Sequence, residues 1–263
     1  MMTRCTVLMY HATPAPGAEP PLGADPHYSV PTDVFKHHLD MIQASGQIVC
    51  SLEQVQDWVT RGQRPVCFTF DDGHATNLQA ATLLADRGWT GTFFINPSTV
   101  GTPGFLNWAE LARMDAMGMS IQSHAQHHRY LGDASDQEQK MELADSKARI
   151  EQNLGTPVFQ IAPPGGRTNR KTWPIAKQLG YTQMATSRVG LWHISRGHPG
   201  DIPRFAILAT TTMEQFQSWV SQDRGAVVKQ ILRYEALAML KKCIGNRRYD
   251  RLRQNLLGGS KDY

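Results

Sequence analysis

Short apolar runs that alternate with helix-like stretches are the feature that most constrains the fold of this chain. Between most of these runs, apolar residues recur at the spacing of an amphipathic helix. Strands separated by helices pair in parallel, because a parallel neighbour requires a long crossover connection. The pattern therefore predicts an α/β fold, a distorted (β/α) barrel of about seven units. The predicted strands are 6–10, 66–70, 91–95, 120–123, 158–162, 183–186 and 202–208.

The C-terminal end differs from the rest of the chain in charge. Residues 1–224 contain the predicted barrel domain, and residues 225–263 form a basic segment with a helical pattern over 227–244. We weigh two interpretations: a helix that packs on the domain, and an amphipathic helix that contacts anionic lipid or a partner protein. The basic side chains at the end of the segment are Lys241, Lys242, Arg247, Arg248, Arg251 and Arg253.

Composition and charge exclude several classes of protein. Hydrophobic residues make up 41% and charged residues 19% of the chain, as in an ordinary globular protein. No run approaches the roughly 20 apolar residues of a membrane-spanning helix, and the first residues lack a signal-peptide pattern. We therefore expect a cytoplasmic protein, which the basic segment would bring to the inner face of the membrane. A net charge of +4 is too small to indicate a nucleic-acid partner, and we expect none.

The four cysteines give no sign of a disulfide framework or a zinc ribbon. They are far apart along the chain and include no C-x-x-C pair. Such spacing predicts reduced, partly buried thiols. The cysteines are Cys5, Cys50, Cys67 and Cys243.

Polar residues follow several of the predicted strands. Asp71 and Asp72 come directly after the strand 66–70, and His11 and His124 each follow another strand. Barrels of this kind carry their catalytic groups at the carboxyl ends of the strands. Because adjacent side chains point to opposite sides of extended backbone, one aspartate can bind a metal while the other faces a water molecule. A polar turn without chemistry is the alternative for this Asp-Asp-Gly sequence.

A pair of histidines supplies the remaining candidate ligands. His124 and His128 are four residues apart, so a helical turn would place both imidazoles within reach of one ion. His127 would then point elsewhere, towards the surface. Two histidines and one carboxylate form a three-ligand site with open positions for water and substrate. The alternative without a metal is that all three histidines are solvated loop residues.

Hydrolysis of an amide or an ester is the reaction that fits these groups. A divalent ion lowers the pKa of bound water and polarises a carbonyl oxygen. The aspartate that does not bind the ion can take the proton of the attacking water. The oxyanion that results needs a backbone N–H, which the turn at Gly165 can offer.

Several motifs resemble those of one known family, the NodB-type polysaccharide deacetylases (carbohydrate esterase family four). Residues 69–73, Thr-Phe-Asp-Asp-Gly, look like the first motif of that family. Residues 123–128, Ser-His-Ala-Gln-His-His, look like the second, and residues 162–166, Ala-Pro-Pro-Gly-Gly, are similar to the third. Leu-Met-Tyr-His at 8–11 and Ile-Pro-Arg-Phe at 202–205 also recur in the family.

The resemblance implies a role for each candidate residue. Asp71 would be the catalytic base, and Asp72, His124 and His128 would bind the metal. Zinc is the usual ion, although cobalt, nickel or iron also occupies such sites. His11 would lie near the active site, either in catalysis or as a structural residue at a strand end. The substrate would be an N-acetylated sugar of a glycan or glycan precursor, which would lose its acetyl group as acetate.

The chain departs from the family pattern at three motif positions. Ala125 replaces a serine or threonine whose hydroxyl helps to orient the metal loop. Ala162 stands where the third motif has arginine, so we expect nothing there to orient Asp71. Gly165 replaces an aromatic residue but keeps its backbone N–H.

The Leu-x-His motif that normally supplies the general acid has no clear counterpart. His193 and His198 are the late histidines that could protonate the leaving amine, and a surface-loop role is the alternative for both. Trp192 could stack on a sugar, and packing in the core or a lid would explain it equally well.

Two other functions remain open at this point. Two histidines and a carboxylate also describe non-haem iron oxygenases, although those enzymes usually have β-sandwich scaffolds. A degenerate barrel that only binds glycans would explain the missing arginine and Leu-x-His motif. The retained Asp-Asp pair argues against that reading, since binding alone needs no base.

Overall fold

The computed structural model describes residues 4–194 and 201–244. None of the helices in these ranges is long and apolar enough to cross a membrane. The strands are β1 (Arg4–Tyr10), β2 (Val66–Phe70), β3 (Thr92–Ile95), β4 (Ser120–Ser123), β5 (Gln160–Ile161), β6 (Gln183–Met184), β7 (Trp192–His193) and β8 (Phe205–Ala206). The helices are α1 (Thr32–Ser45), α2 (Val55–Thr60), α3 (Asn77–Ala85), α4 (Trp108–Ala116), α5 (Asp136–Leu154), α6 (Thr172–Gln178), α7 (Met213–Val220) and α8 (Arg224–Ile244).

The strands form one curled sheet. Seven of them pair in parallel in the order β8-β1-β2-β3-β4-β5-β6, and β7 pairs antiparallel with the start of β1. A parallel bridge between Ala185 and Ile202 joins the segment after β6 to the segment before β8. The predicted distorted barrel of about seven strands is therefore confirmed. Because the parallel strands point the same way, their carboxyl ends meet at one rim.

Side chains of the strands alternate between two apolar clusters. The outer cluster lies under the helices and includes Tyr10, Phe68 and Phe70. The inner cluster draws residues from strands all round the sheet, so it fills the barrel interior. Asp71 continues the inward row begun by Cys67 and Thr69, and its side chain therefore enters the barrel from the rim. Members of the inner cluster are Cys5, Val7, Cys50, Leu52, Val55, Val59, Cys67, Phe94, Ala162, Ala185, Trp192 and Ile202.

Helix α5 supports the strand that leads to His124. It begins with a capping box, in which Ser135 accepts from the backbone N–H of Glu138 and the Glu138 carboxylate accepts from that of Ser135. Its buried face carries Glu142 and Ser146 towards the end of β4. The helix therefore delivers a buried carboxylate to the loop after that strand.

Three cysteines that are distant in sequence lie together in the barrel. The sulfur of Cys67 lies 3.6 Å from that of Cys5 and 3.9 Å from that of Cys50. All three are buried free thiols. Burial raises the pKa of the thiols of Cys5 and Cys67, which keeps them protonated and apolar. The side chain of Cys243 lies outside the described part of the chain.

The C-terminal helix begins earlier than the pattern predicted. α8 starts at Arg224, where Val227 is buried and Ile231 packs against the outer cluster. The proposed division of the chain at residue 224 thus falls at the start of this helix. The predicted basic side chains from Lys241 onward lie outside the part of the structure whose side chains are described.

Candidate active site

The two aspartates at the end of β2 point in different directions. Asp71 is 3% exposed and extends the inward row of β2, with its backbone N–H bonded to the carbonyl of Tyr10. Asp72 adopts a φ of 75°, a left-handed conformation that aspartate tolerates better than most residues. This turn carries the side chain of Asp72 towards the loop after β4.

Asp72, His124 and His128 form a compact cluster of possible metal ligands. Oδ1 of Asp72 lies 3.2 Å from Nε2 of His124 and 3.3 Å from Nε2 of His128. Ligands that bind one tetrahedral zinc at about 2.0–2.2 Å are roughly 3.3–3.6 Å apart, close to these two separations. The three ligand atoms all lie within 4.8 Å of one another, within reach of a single ion. Among the described residues, Oδ1 of Asp72 is a buried oxygen without a hydrogen-bond donor. The donor set therefore fits a divalent metal.

A hydrogen bond from Nδ1 fixes the tautomer of His124. Nδ1 of His124 donates a hydrogen bond to the carbonyl of Ala162 at 2.6 Å. The tautomer with its N–H on Nδ1 leaves Nε2 with the lone pair that a metal ligand needs, on the side of the ring that faces Asp72. A backbone carbonyl that orients a ligand histidine in this way is a common feature of metal sites.

A bent loop, and not a helical turn, brings the two histidines together. Residues 124–128 contain no helix, and both Ala125 and His128 have positive φ values, 62° and 55°. The prediction of a helical turn is therefore wrong, although the imidazoles do converge, with ring centroids 5.2 Å apart. The hydroxyl of Ser123 accepts a hydrogen bond from the N–H of Ala125, which helps to hold the start of the loop.

The carboxylate of Glu142 holds the far side of this loop. Oε2 accepts from the backbone N–H of Gln126 at 3.0 Å and from that of His127 at 2.8 Å. Oε1 lies 2.9 Å from Nδ1 of His127, so the imidazole of His127 faces away from the metal cluster. Charge-assisted bonds of this kind are stronger than neutral ones, and they fix the strained backbone of the loop. Glu142 has no motif around it that would have indicated this role.

Arg204 orients Asp71 from inside the barrel. Its guanidinium contacts Oδ1 at 2.7 Å and Oδ2 at 2.9 Å, and Nη1 also donates to the hydroxyl of Thr69. Nε bonds the carbonyl of Thr186. The orienting arginine therefore comes from the segment before β8, while Ala162, at the position where the family motif has arginine, has no side chain that could take this role. The Ile-Pro-Arg-Phe sequence was the signal for this residue.

Arg204 also decides the charge of Asp71. Burial raises the pKa of this carboxyl, but the positive charge of Arg204 and its hydrogen bonds, with help from His124, bring the net pKa below its usual value. For Asp72, burial likewise raises the pKa, and contacts with His124, His128 and His74 bring it well below normal. Both aspartates are thus carboxylates at neutral pH.

His11 lies beside this pair of carboxylates. Its ring packs on Tyr28 with centroids 4.5 Å apart, and Nδ1 is buried without a hydrogen-bond partner among the described residues. Burial lowers the pKa of His11, while the charges of Asp72 and Asp71 oppose that shift. The imidazole therefore lies within electrostatic reach of both aspartates and is neutral without substrate.

Gly165 lies on the exposed rim of the same region. It adopts a φ of 58° in the turn after β5, three residues beyond the carbonyl that holds His124. A Cβ atom at this position would lie 2.8 Å from the ring of Tyr130. The guanidinium of Arg167 in turn lies 4.0 Å from the centre of that ring. A side chain at position 165 is thus excluded by Tyr130.

Two aromatic candidates from the late part of the chain lie far from this rim. His193 pairs with Arg4 at the amino end of β1, opposite the strand ends that carry the aspartates. Trp192 is 4% exposed and belongs to the inner cluster at that same end. The structure therefore supports the surface role for His193 and core packing for Trp192, and it excludes a general acid and a sugar-stacking surface at these two positions. His198 falls outside the described residues.

Comparison with known proteins agrees with this arrangement. Residues 59–184 match the sequence profile described as polysaccharide deacetylase. Over this range, the chain resembles the polysaccharide deacetylases. The matched range contains Asp71, Asp72, His124, His128 and Gly165, whereas His11 and Arg204 lie outside it.

Individual relatives cover the barrel to different extents. The Bacillus subtilis protein YxkH is 28% identical over 189 residues, which are 70% of this chain and 64% of that protein. The peptidoglycan-N-acetylglucosamine deacetylase of Bacillus cereus is 27% identical over 51% of this chain and 60% of its own length. The chain therefore spans less than two thirds of these curated relatives.

A solved structure matches nearly along its whole length. The Streptococcus pyogenes deacetylase PplD, determined in complex with acetate, superposes with a TM-score of 0.71 and 25% sequence identity. The match covers 84% of this chain and 99% of PplD. The barrel is thus the fold of a known deacetylase.

Proposed function

We propose that this protein removes the acetyl group of an N-acetylated sugar by metal-dependent amide hydrolysis, with release of acetate. One observation carries the proposal. A buried aspartate, held ionised by Arg204, stands beside a separate three-ligand cluster. A protein that only bound glycans would have no need of such a base.

The cluster of Asp72, His124 and His128 would hold the metal. We expect zinc, with cobalt, nickel or iron as substitutes, since imidazole and carboxylate ligands suit all of them. A divalent ion in that position supplies a Lewis acid for the acetyl carbonyl and activates water at neutral pH.

Two proton transfers and the stabilisation of the oxyanion are assigned to the remaining groups. Asp71 accepts the proton of the attacking water, because Arg204 leaves it ionised and directed into the site. The backbone N–H of Gly165 donates to the developing oxyanion at the rim. His11, which is within electrostatic reach of both aspartates, relays the proton that Asp71 takes up to the leaving amine, because a neutral imidazole can accept a proton on one ring nitrogen and donate the proton of the other.

The names of two similar proteins support the proposed substrate class. One relative acts on N-acetylglucosamine of peptidoglycan, and PplD was determined with acetate, the product of deacetylation. A glycan polymer, a lipid-linked or nucleotide-linked precursor and a small glycoside are all compatible with the site. An oxygenase, the other class with this ligand set, is disfavoured because Asp71 and Arg204 supply a base that oxygen chemistry does not use.

Acetate release tests the proposal. Wild type, Asp71→Asn and a matched Asp115→Asn control would be incubated with N-acetylglucosamine oligomers and with zinc, and both acetate and free amine would be measured. We expect wild type to release acetate and free amine in equal amounts. Asp71→Asn should lose this activity, and Asp115→Asn should keep it. Asp115 is on α4, away from the strand-end rim. Release that persists at the wild-type rate in Asp71→Asn would contradict the assignment of the base.

We also propose that α8 attaches the protein to an anionic lipid surface. Val228, Leu232 and Met239 are 53%, 60% and 68% exposed, and at about 100° per residue they lie within roughly 40° of one another on the helix. Residues 224–253 contain nine of the 27 Lys and Arg residues and two of the 23 Asp and Glu residues. The segment thus carries +7 and the rest of the chain −3. Exposed apolar side chains in a segment whose sequence is rich in positive charge favour an anionic membrane surface.

Vesicle sedimentation tests this attachment. Binding to vesicles with phosphatidylglycerol is expected to exceed binding to phosphatidylcholine alone, and to fall at least tenfold in Leu232→Gln/Met239→Gln. Neutralising Arg247, Arg248, Arg251 and Arg253 should have a similar effect. Leu22→Gln, at a position that is 67% exposed on another surface, is the matched control. Unchanged binding in both sets of variants would contradict the proposal.

A further inference from the structure

The residue after the Asp-Asp-Gly turn is a buried histidine that the proposed chemistry does not use. His74 is 1% exposed, and its Nε2 lies 3.4 Å from Oδ2 of Asp72. The cluster histidines contact the other oxygen of the same carboxylate, Oδ1. The two oxygens of Asp72 are therefore divided between the metal cluster and His74.

The ring of His74 is held by the backbone around it. His74 forms an antiparallel bridge with Phe105, whose ring stacks on the imidazole at 5.1 Å and 25°. The N–H of Ala75 bonds the carbonyl of Gly104, and the N–H of Leu106 bonds that of Gly73, both at 2.9 Å. The imidazole is thus fixed against Asp72 by contacts on both sides of the turn.

Because the imidazole of His74 is buried, the carboxylate of Asp72 is its natural hydrogen-bond partner. Among the described residues, neither ring nitrogen of His74 has a conventional hydrogen bond. Burying an imidazole without partners costs free energy, and the cost falls when its N–H faces a carboxylate. Nε2 is the ring nitrogen that lies 3.4 Å from Oδ2 of Asp72, so its N–H is the donor placed nearest to that oxygen.

The geometry points to His74 as a positioning residue: it holds Oδ2 of Asp72, so that only Oδ1 is available to bind the metal. With Oδ2 engaged, the carboxylate cannot rotate about its Cβ–Cγ bond or offer both oxygens to one ion. Monodentate binding keeps coordination positions open for water and for the acetyl oxygen. This inference rests on the proposed metal site, and it concerns metal affinity and coordination number.

Removing a group that holds a metal ligand typically weakens metal binding 10- to 100-fold. His74→Phe fills the same space without a donor, whereas His74→Gln places an amide donor near the position of Nε2. We expect zinc to bind about 10- to 100-fold more weakly to His74→Phe, and His74→Gln to recover most of that loss. The cobalt-substituted His74→Phe protein should show the weaker visible absorption of a five-coordinate ion, because Oδ2 becomes free to bind.

The experiment measures zinc dissociation constants by competition with a chromophoric chelator, together with cobalt spectra. Thermal unfolding of the metal-free variants shows that each one folds, and His124→Ala reports on the site itself. Wild-type affinity and spectrum in His74→Phe, with binding lost in His124→Ala, would overturn the role of His74 and leave the metal site intact. Wild-type zinc binding in His124→Ala would overturn the proposed site and this inference with it.

Discussion

Arg204 and Asp71 are 133 residues apart in the chain, yet the guanidinium of Arg204 contacts both carboxylate oxygens of Asp71. Both side chains are almost completely buried. A buried charge pair of this kind is costly to form and costly to break, so it is expected where a function requires it. In this barrel the pair fixes the direction and the charge of the proposed base at the same time.

Replacing Arg204 should impair the base without removing it. Arg204→Met removes the positive charge, so the pKa of Asp71 rises and a smaller fraction is ionised at a given pH. We expect kcat to fall about 100-fold and the acid limb of the kcat/KM profile to move to higher pH. Arg204→Lys should keep part of the charge but lose the bidentate geometry.

The control for this prediction is Arg188→Lys. Arg188 forms an exposed ion pair with Asp201 and does not touch Asp71. Its variant should keep the wild-type pH profile. An acid limb that stays in place in Arg204→Met would show that Arg204 does not set the ionisation of the base.

The role proposed for His11 predicts a dependence on the leaving group. An amine must be protonated as it leaves, whereas 4-nitrophenolate leaves without a proton. His11→Gln should therefore lower kcat for an N-acetylated sugar about 100-fold and change hydrolysis of 4-nitrophenyl acetate much less. His193→Gln, at the opposite end of the barrel, should affect neither substrate. Equal losses on both substrates would indicate a structural role for His11.

The turn at Gly165 predicts a measurable coupling with Tyr130. Gly165→Ala combines a positive φ with a Cβ that lies 2.8 Å from the Tyr130 ring, whereas Gly155→Ala has a φ of 71° and no atom within 4 Å. We expect Gly155→Ala to lower the free energy of unfolding by about 1 kcal/mol and Gly165→Ala by about 1–3 kcal/mol more. In a double-mutant cycle by urea denaturation, Tyr130→Ala should relieve the additional loss. Equal effects of the two glycine substitutions would contradict the contact.

A buried histidine outside the site predicts how stability depends on pH. Burial, with a smaller contribution from the charge of His37, lowers the pKa of His38 from 6.5 to about 4 in the folded protein. As the pH falls, His38 is therefore protonated in the unfolded chain before it is protonated in the folded protein. The stability that neutral His38 provides is fully present above about pH 6.5 and is lost as the pH falls to about 4, by about 3 kcal/mol in total.

The measurement compares free energies of unfolding between pH 7 and pH 4. His38→Asn keeps a polar partner for the hydroxyl of Tyr10, which lies 2.9 Å from Nδ1, but cannot titrate. Its loss of stability in acid should be smaller than that of wild type by about the same 3 kcal/mol. His37→Asn, at an exposed neighbouring position, removes only the smaller contribution of the His37 charge, so its curve should stay close to that of wild type. Parallel curves for wild type and His38→Asn would exclude the effect.

Local patterns in the sequence were sufficient for the fold and for most of the site. Apolar runs bounded by turns predicted the strands, because burial of a parallel sheet leaves a strong local signal. The Asp-Asp-Gly and His-x-x-x-His motifs predicted Asp72, His124 and His128, which the structure brings together. Short elements such as α2 and β7 were missed, since six and two residues carry too little periodicity.

Contacts between distant segments could not be read in the same way. Arg204 reaches Asp71 because β8 pairs with β1, a relationship that no local pattern encodes. The loop of His124 and His128 follows from positive φ values and from Glu142, so four-residue spacing alone suggested a helix that is absent. His193 illustrates the opposite error, since a plausible residue type lies at the wrong end of the barrel.

We expect acetate release to require one metal ion in the cluster of Asp72, His124 and His128. The decisive experiment titrates chelator-treated protein with zinc while acetate release from N-acetylglucosamine oligomers is followed. Wild type should show no activity without metal and a linear rise that saturates at one zinc per chain, and His124→Ala should not respond. Full activity in the metal-free protein, or wild-type activation of His124→Ala by zinc, would rule out this metal site.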